Sequence, residues 1–348
     1  MFGHAATAVE RILIIGPSWV GDMVMAQSLF KTLKTLHRNA DIDVMAPEWS
    51  HHVLARMPEV TSALISPFGH GQLNLLFRFQ LGRTLKARGY SHCYILPNSL
   101  KSALVPAAAG IPHRIGWRGE MRYGLLTDIR LLDKKRYPLM VQRFCALAYP
   151  ADHSVPDCPP PQLLVDEAER QTTMTGFELS LERPVTVLCP GAEFGPSKQW
   201  PAEHFAEVAD RQIAAGGQIW IMGSANDRPI AETIANACQS THRNHVHVLA
   251  GRTTLGECID LMSVADAVVT NDSGLMHIAA ALNRPLAAVY GSTSPEFTPP
   301  LSERAAVLKV PIACAPCFQR ECPLRHHKCM TELKPTQVFA ALEELPHE

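Results

Sequence analysis

Arg11-Ile12-Leu13-Ile14-Ile15-Gly16-Pro17-Ser18-Trp19-Val20-Gly21-Asp22 is the stretch on which the fold turns. Ile12 to Ile15 is a short apolar run, Gly16 breaks it, and Met25, Leu29, Leu33 and Leu36 then recur at helical spacing. The reading is strand, loop, helix. Runs at Ile42 to Ala46 and Cys93 to Leu96, each followed by Pro or a polar turn and a helix-compatible stretch, repeat the alternation. A parallel sheet with helices on its faces follows.

Between Tyr149 and Pro184 the texture changes. Pro150 to Pro161 holds five prolines, and the next twenty residues are polar with weak periodicity, so the domain boundary is placed there. Strands are then expected at Val185 to Cys189, Gln218 to Met222, Val246 to Leu249, Ala267 to Thr270 and Leu286 to Tyr290. The α/β fold is therefore two doubly wound, Rossmann-like domains, residues 1–165 and 182–330, followed by a helix over 331–348 that is expected to return to the first domain. Ligands of open α/β sheets bind in loops at the carboxyl ends of strands, and two such edges are expected to face each other across a cleft. No repeat of 20 to 50 residues is visible, which argues against a solenoid.

The bulk numbers agree. A chain of 348 residues suits two domains, and 47% hydrophobic with 19% charged residues is a globular composition. A formal charge of -1 argues against general nucleic-acid affinity, so any anion site must be local. No apolar run reaches the roughly 20 residues of a membrane-spanning helix, and the start lacks a charged residue followed by an apolar stretch, so the chain is expected to stay in the cytoplasm. Of ten cysteines, six stand singly in apolar segments (Cys93, Cys145, Cys158, Cys189, Cys238, Cys258), as in a reduced α/β protein.

Three loops carry chemistry. Thr270-Asn271-Asp272-Ser273-Gly274-Leu275-Met276-His277 follows a strand and opens a helix, whose free N–H groups and dipole suit a phosphate; Asp272 or Ser273 could equally be a plain helix cap. Cys189 to Pro201, with Gly191, Gly195, Ser197 and a single cation, Lys198, is a shaped loop that could reach the same diphosphate. The loop Gly16 to Asp22 lacks the middle glycine of a dinucleotide fingerprint and instead delivers a carboxylate, Asp22, to a helix start, where a plain helix cap is the simpler reading of this segment alone.

In order and spacing these loops resemble those of the ADP-heptose:lipopolysaccharide heptosyltransferases, and the resemblance runs from about Arg11 to Leu342. It includes Asp43 to Pro47, Leu96 to Ser99, Lys101 to Pro106, Gly110 to Arg114, Gly116 to Leu126 and Ala279 to Pro285. The signature Gly191-Ala192-Glu193-Phe194-Gly195-Pro196 resembles the members that add the second heptose; first-heptose members have hydroxyl residues at Glu193 and Phe194, so contacts from that stretch do not transfer directly. The resemblance implies the GT-B fold, inversion at the anomeric carbon and no required cofactor or catalytic metal. It implies ADP-L-glycero-D-manno-heptose as donor and the heptosyl-Kdo2-lipid A precursor of the lipopolysaccharide inner core as acceptor. Membrane contact is then peripheral, at the cytoplasmic face of the inner membrane. Asp22 matches the general base and Lys198 the phosphate-contacting lysine; Gly191, Ser197, Asp272, Ser273, Gly274 and His277 match the donor site. Asp227 lies where a relative holds the ribose, and Leu249 to Thr253 where adenine is lined. A metal-free transferase must stabilise the departing diphosphate with a lysine and backbone donors.

Lys101, Arg114, Arg118 and Arg122 form a basic cluster in the amino-terminal half, suited to an anionic acceptor. Cys314, Cys317, Cys322 and Cys329 fall in C-x2-C-x4-C-x6-C, which offers four thiolates to a structural zinc; free or partly disulfide-bonded thiols are the alternative. Rival readings are a heptosyltransferase with another acceptor and a sugar-nucleotide-binding module without turnover. A carboxylate at Asp22 distinguishes the enzyme from the module.

Overall fold

The computed structural model describes residues 9–69 and 71–346. The chain divides between Pro159 and Pro160 into two compact units. In the first, β1 (Arg11–Ile15), α1 (Val20–Leu36), β2 (Asp41–Ala46), α2 (His51–Leu54), β3 (Ser62–Ile65), α3 (Leu75–Leu85), β4 (His92–Ile95), α4 (Leu104–Ala108), β5 (His113–Trp117), β6 (Asp128–Arg130) and α5 (Met140–Cys145) follow in order. The second contains α6 (Glu167–Gly176), β7 (Val185–Cys189), α7 (Ala202–Ala214), β8 (Gln218–Ile221), α8 (Arg228–Ala237), β9 (Val246–Val248), α9 (Leu255–Met262), β10 (Ala267–Asn271), α10 (Gly274–Ala281), β11 (Leu286–Tyr290), β12 (Ala305–Lys309), α11 (Lys328–Thr331) and α12 (Pro335–Glu344).

Both sheets are six-stranded and parallel, in the orders β3-β2-β1-β4-β5-β6 and β12-β11-β10-β7-β8-β9. Each is the Rossmann order, with its switch point between β1 and β4 or between β7 and β10. The central strands are covered on both faces, which is why they read as unbroken apolar runs: all five residues of β7 are buried. On α7, Phe205, Ala209 and Ile213 recur every fourth residue and are buried against that sheet.

Two expectations about boundaries are corrected. The stretch between the domains is not all linker, because Asp166 caps α6 by accepting the Glu169 N–H at 2.9 Å, and α6 packs on α9 in the second unit. Residues 160–165 also belong to that unit, where the Leu163 N–H donates to the Ala281 carbonyl. The carboxyl-terminal helix does not join the first domain. α12 packs on α7, β11 and β12, and places Val338, Phe339 and Leu342 in the second core.

Candidate active site

In the first unit the loop after β1 ends in α1, and Asp22 is the third residue of that helix. It therefore does not occupy the capping position, which is held by Trp19, 51% exposed. A carboxylate in the first turn is favoured by the helix dipole. The half-buried Asp22 thus stands beside the switch point of its sheet.

The basic cluster divides. Arg122 is fully buried and donates to the carbonyls of Pro97 (2.8 Å) and Trp117 and to Ser102 Oγ (3.3 Å), so it ties two loops together. Arg114 donates to the carbonyls of Leu125 (2.6 Å) and Ile111. The expected place of Arg122 in an acceptor-binding group is corrected, because its guanidinium is fully buried and bonded within the protein; Arg114 is half-buried and gives two of its N–H groups to backbone oxygens, which leaves others for a ligand. Arg118 is exposed and Lys101 half-buried, so both can meet a ligand. The Leu100 N–H, next to Lys101, is held by Glu120 Oε2 at 2.6 Å.

In the second unit the loops after β7, β10 and β11 converge. Asn271 at the end of β10 donates to the Pro190 carbonyl at 2.7 Å and accepts the Trp200 N–H at 3.2 Å, clamping the β7 loop at both ends. Within that loop the Lys198 ammonium donates to Asp272 Oδ2 at 2.6 Å and lies 5.1 Å from the Phe194 ring centroid. The Thr293 hydroxyl, from the loop after β11, donates to the same oxygen. Asp272 is 5% exposed and directly precedes Ser273, the N-cap of α10, so the lysine is held where the first N–H groups of α10 lack intrahelical acceptors. Ser273 and Gly274 are half-buried and reachable.

His277 lies one turn into α10, 5% exposed. Burial lowers its pKa to about 4; Lys198 acts in the same direction and Asp272 opposes. It is neutral near pH 7 and offers a hydrogen bond, not a charge.

Ser197 is corrected. Its hydroxyl meets Ser292 Oγ at 2.8 Å and donates to the Gln319 carbonyl at 2.5 Å, so it turns away from the site and anchors the loop from below. Gly191 has a physical reason to be glycine: a Cβ there would come within 2.6 Å of the Asp227 carboxylate oxygens. Asp227 Oδ2 accepts from the N–H and hydroxyl of Ser224, both at 2.8 Å. The Gly251 N–H donates to the Gly223 carbonyl, which brings the segment after β9 beside this loop.

Thr293, Phe194 and the clamping role of Asn271 were not assigned from sequence. The available signal was Gly291-Ser292-Thr293-Ser294, a polar loop directly after a buried strand.

A family model for glycosyltransferase family 9 (heptosyltransferase) matches residues 78–328. The chain is 48% identical over 341 residues to lipopolysaccharide heptosyltransferase 2 of Escherichia coli K12, covering 96% of this chain and 98% of that protein. It is 50% identical over 308 residues to lipooligosaccharide heptosyltransferase 2 of Haemophilus influenzae, covering 86% and 88%. The solved structure of E. coli ADP-heptose LPS heptosyltransferase II matches with a TM-score of 0.86 at 47% identity, covering 96% of this chain and 97% of that one.

Proposed function

The chain belongs to glycosyltransferase family 9, the heptosyltransferases, and from that premise we propose that it transfers L-glycero-D-manno-heptose from ADP-heptose to the first heptose of the lipopolysaccharide inner core. The observation that carries this reading is the Lys198–Asp272 pair at the mouth of α10, in a chain similar to second-heptose enzymes along nearly its whole length. The acceptor hydroxyl oxygen bonds to the anomeric carbon as the bond from that carbon to the diphosphate oxygen breaks. The hydroxyl proton passes to Asp22, and ADP leaves with the electron pair. One displacement inverts the centre.

Negative charge grows on the departing diphosphate, and the Lys198 ammonium with the N–H groups at Ser273 and Gly274 receives it, so no divalent cation is required. Asp272 takes two of the three ammonium hydrogens, one on Oδ2 and a longer one at 3.4 Å on its carbonyl, which leaves the third for phosphate. Asp227 takes the ribose, Gly191 gives it room, and the Leu249 to Thr253 segment borders the adenine. On the acceptor side, Arg118 and Lys101 meet the anionic inner core.

Membrane contact is peripheral and at the cytoplasmic face. Among the described residues no helix is long and apolar enough to cross a membrane. Between Glu59 and Glu120 there is no Asp or Glu, while seven Lys and Arg occur. α3 in this stretch packs through Gly82 against α4 and exposes Leu76 (72%), Phe79 (52%) and the cation Arg83, with the exposed Lys86 directly after its end. Apolar side chains among cations, without nearby carboxylates, suit an anionic lipid surface.

The test is transfer from ADP-heptose to acceptors carrying no, one or two heptoses, with products read by mass spectrometry. Extension of the one-heptose acceptor is expected. Preference for another acceptor would reassign the substrate, and donor binding without turnover on any would leave a binding module. Sedimentation with anionic vesicles tests the membrane surface: the double change Leu76→Ser and Phe79→Ser should release the protein, and unchanged binding would remove α3 from that role.

A further inference from the structure

The loop that carries Lys198 rests on the segment between two cysteines. The Ser197 N–H donates to the Arg320 carbonyl at 3.2 Å and the Ser197 hydroxyl to the Gln319 carbonyl. Gly195, at φ +150°, lies so close to the Arg320 carbonyl that a Cβ would approach its oxygen to 2.4 Å. The Phe318 N–H donates to the Ser292 carbonyl at 2.7 Å, next to Thr293. Residues 318–320 thus support both the lysine and the hydroxyl that hold Asp272, yet among the described residues 310–327 form neither helix nor strand. Something other than secondary structure must fix them.

Cys314, Cys317, Cys322 and Cys329 bracket this segment and line one small, partly open pocket. All four thiols are free. The chain turns directly after Cys322, whose carbonyl accepts the Arg325 N–H at 3.0 Å, and the turn uses left-handed backbone at Arg325 (φ 58°) and His327 (φ 48°). His326 is a poor fifth candidate: its Nδ1 accepts the Lys328 N–H at 3.0 Å, so the neutral ring carries its proton on Nε2, which faces Cys314 Sγ at 3.9 Å. Among the described residues no three ligating side chains already stand around one point, so an ion would draw the sulfurs inward by side-chain rotation.

We propose that Cys314, Cys317, Cys322 and Cys329 bind one divalent transition-metal ion through four sulfurs, and that this clasp holds Phe318, Gln319 and Arg320 beneath the Lys198 loop. Four thiolates suit tetrahedral zinc or iron. The ion lies outside the chemistry; its role is to keep the donor loop in place. Only that second half rests on the proposed transfer reaction.

The full chain, purified under reducing conditions, should contain about one equivalent of zinc or iron by plasma mass spectrometry, which also tells the two apart. Metal-stripped protein titrated with Co(II) should develop the intense visible bands and sulfur-to-cobalt charge transfer of a tetrahedral thiolate site, saturating at one equivalent. Cys317→Ser and Cys322→Ser should lose both signals; if they fail to fold, the wild-type cobalt titration decides. No metal after repletion, weak octahedral cobalt bands, or paired disulfides in the reduced preparation would each overturn the site. ADP affinity by calorimetry tests the clasp: stripped protein should bind about tenfold more weakly through misplacement of Lys198, and equal affinity with and without metal would overturn that half while leaving the transfer reading untouched.

Discussion

Asp272 Oδ2 accepts the Lys198 ammonium at 2.6 Å and the Thr293 hydroxyl as well, so loops from β7, β10 and β11 meet on one buried oxygen. The carboxylate fixes the ammonium while α10 aims its N–H groups into the same space. Removing the cation by Lys198→Ala should weaken ADP binding and slow transfer together, the rate by about 100-fold or more. Thr293→Val removes one hydrogen bond to a charged group and should cost about tenfold in rate. Calorimetry with ADP and initial rates measure both; an unchanged rate and affinity in Lys198→Ala would make the lysine structural.

Asp22 belongs to the other unit and to the other partner in the reaction. Asp22→Asn should lower turnover by about two orders of magnitude or more, the scale of losing a general base, while ADP affinity stays near wild type. Turnover close to wild type would remove Asp22 from the mechanism.

Arg122 and Arg118 lie four positions apart and should respond oppositely. Arg122→Ala empties the site of a fully buried guanidinium and removes its bonds to the Pro97 and Trp117 carbonyls, and should destabilise the protein by about 3 kcal/mol or more in chemical denaturation. Arg118→Ala should change stability by no more than about 0.5 kcal/mol while raising KM for the acceptor. An unchanged acceptor KM would leave Arg118 as ordinary surface charge.

Which arginine turned inward was not legible in the sequence, because the acceptors that claim Arg122 lie up to 25 residues away in another loop. The inward turn of Ser197 has the same origin, with its partner carbonyl 122 residues distant. What could be read was anything set by local burial. β1, β2, β4, β7 and β8 are covered on both faces and announce themselves as apolar runs. β3 and β12 are edge strands, half exposed, and carry no such signal; α6 is polar, and its cap was hidden among other polar residues. The three site loops were found because each follows a buried strand at the switch point, where composition shifts from apolar to Gly, Pro and polar residues.

His277 gives the second domain a pH dependence. Unfolded, an imidazole takes its proton near the ordinary value of 6.5, but the folded pKa is about 4, so between these values the unfolded state binds more protons. Stability from this group is full above pH 6.5 and declines as pH falls toward 4, by roughly 2 to 3 kcal/mol over the window. Denaturation at pH 7 and pH 4.5 should show His277→Gln losing less stability than wild type; an equal loss would mean the histidine is protonated in the fold.

Chelation should separate two kinds of metal dependence. Initial rates should survive chelator, since Lys198 and the start of α10 supply the positive field. Immediate, complete loss restored by magnesium would refute a metal-free displacement; gradual loss prevented by zinc or iron would report the cysteine clasp.

The placement of α12 bears on how the protein is made. The first unit ends at Pro159, so its sheet is complete while the ribosome still has more than half the chain to add. The second unit is different: Val338, Phe339 and Leu342 seal a face of its sheet, and they come after all six of its strands in the chain. A nascent chain therefore carries a finished first unit tethered to a second whose apolar face stays open until α12 has been made. A stop after Thr331 would leave that face open, and such a truncated product is the kind of molecule that chaperones and proteases recognise.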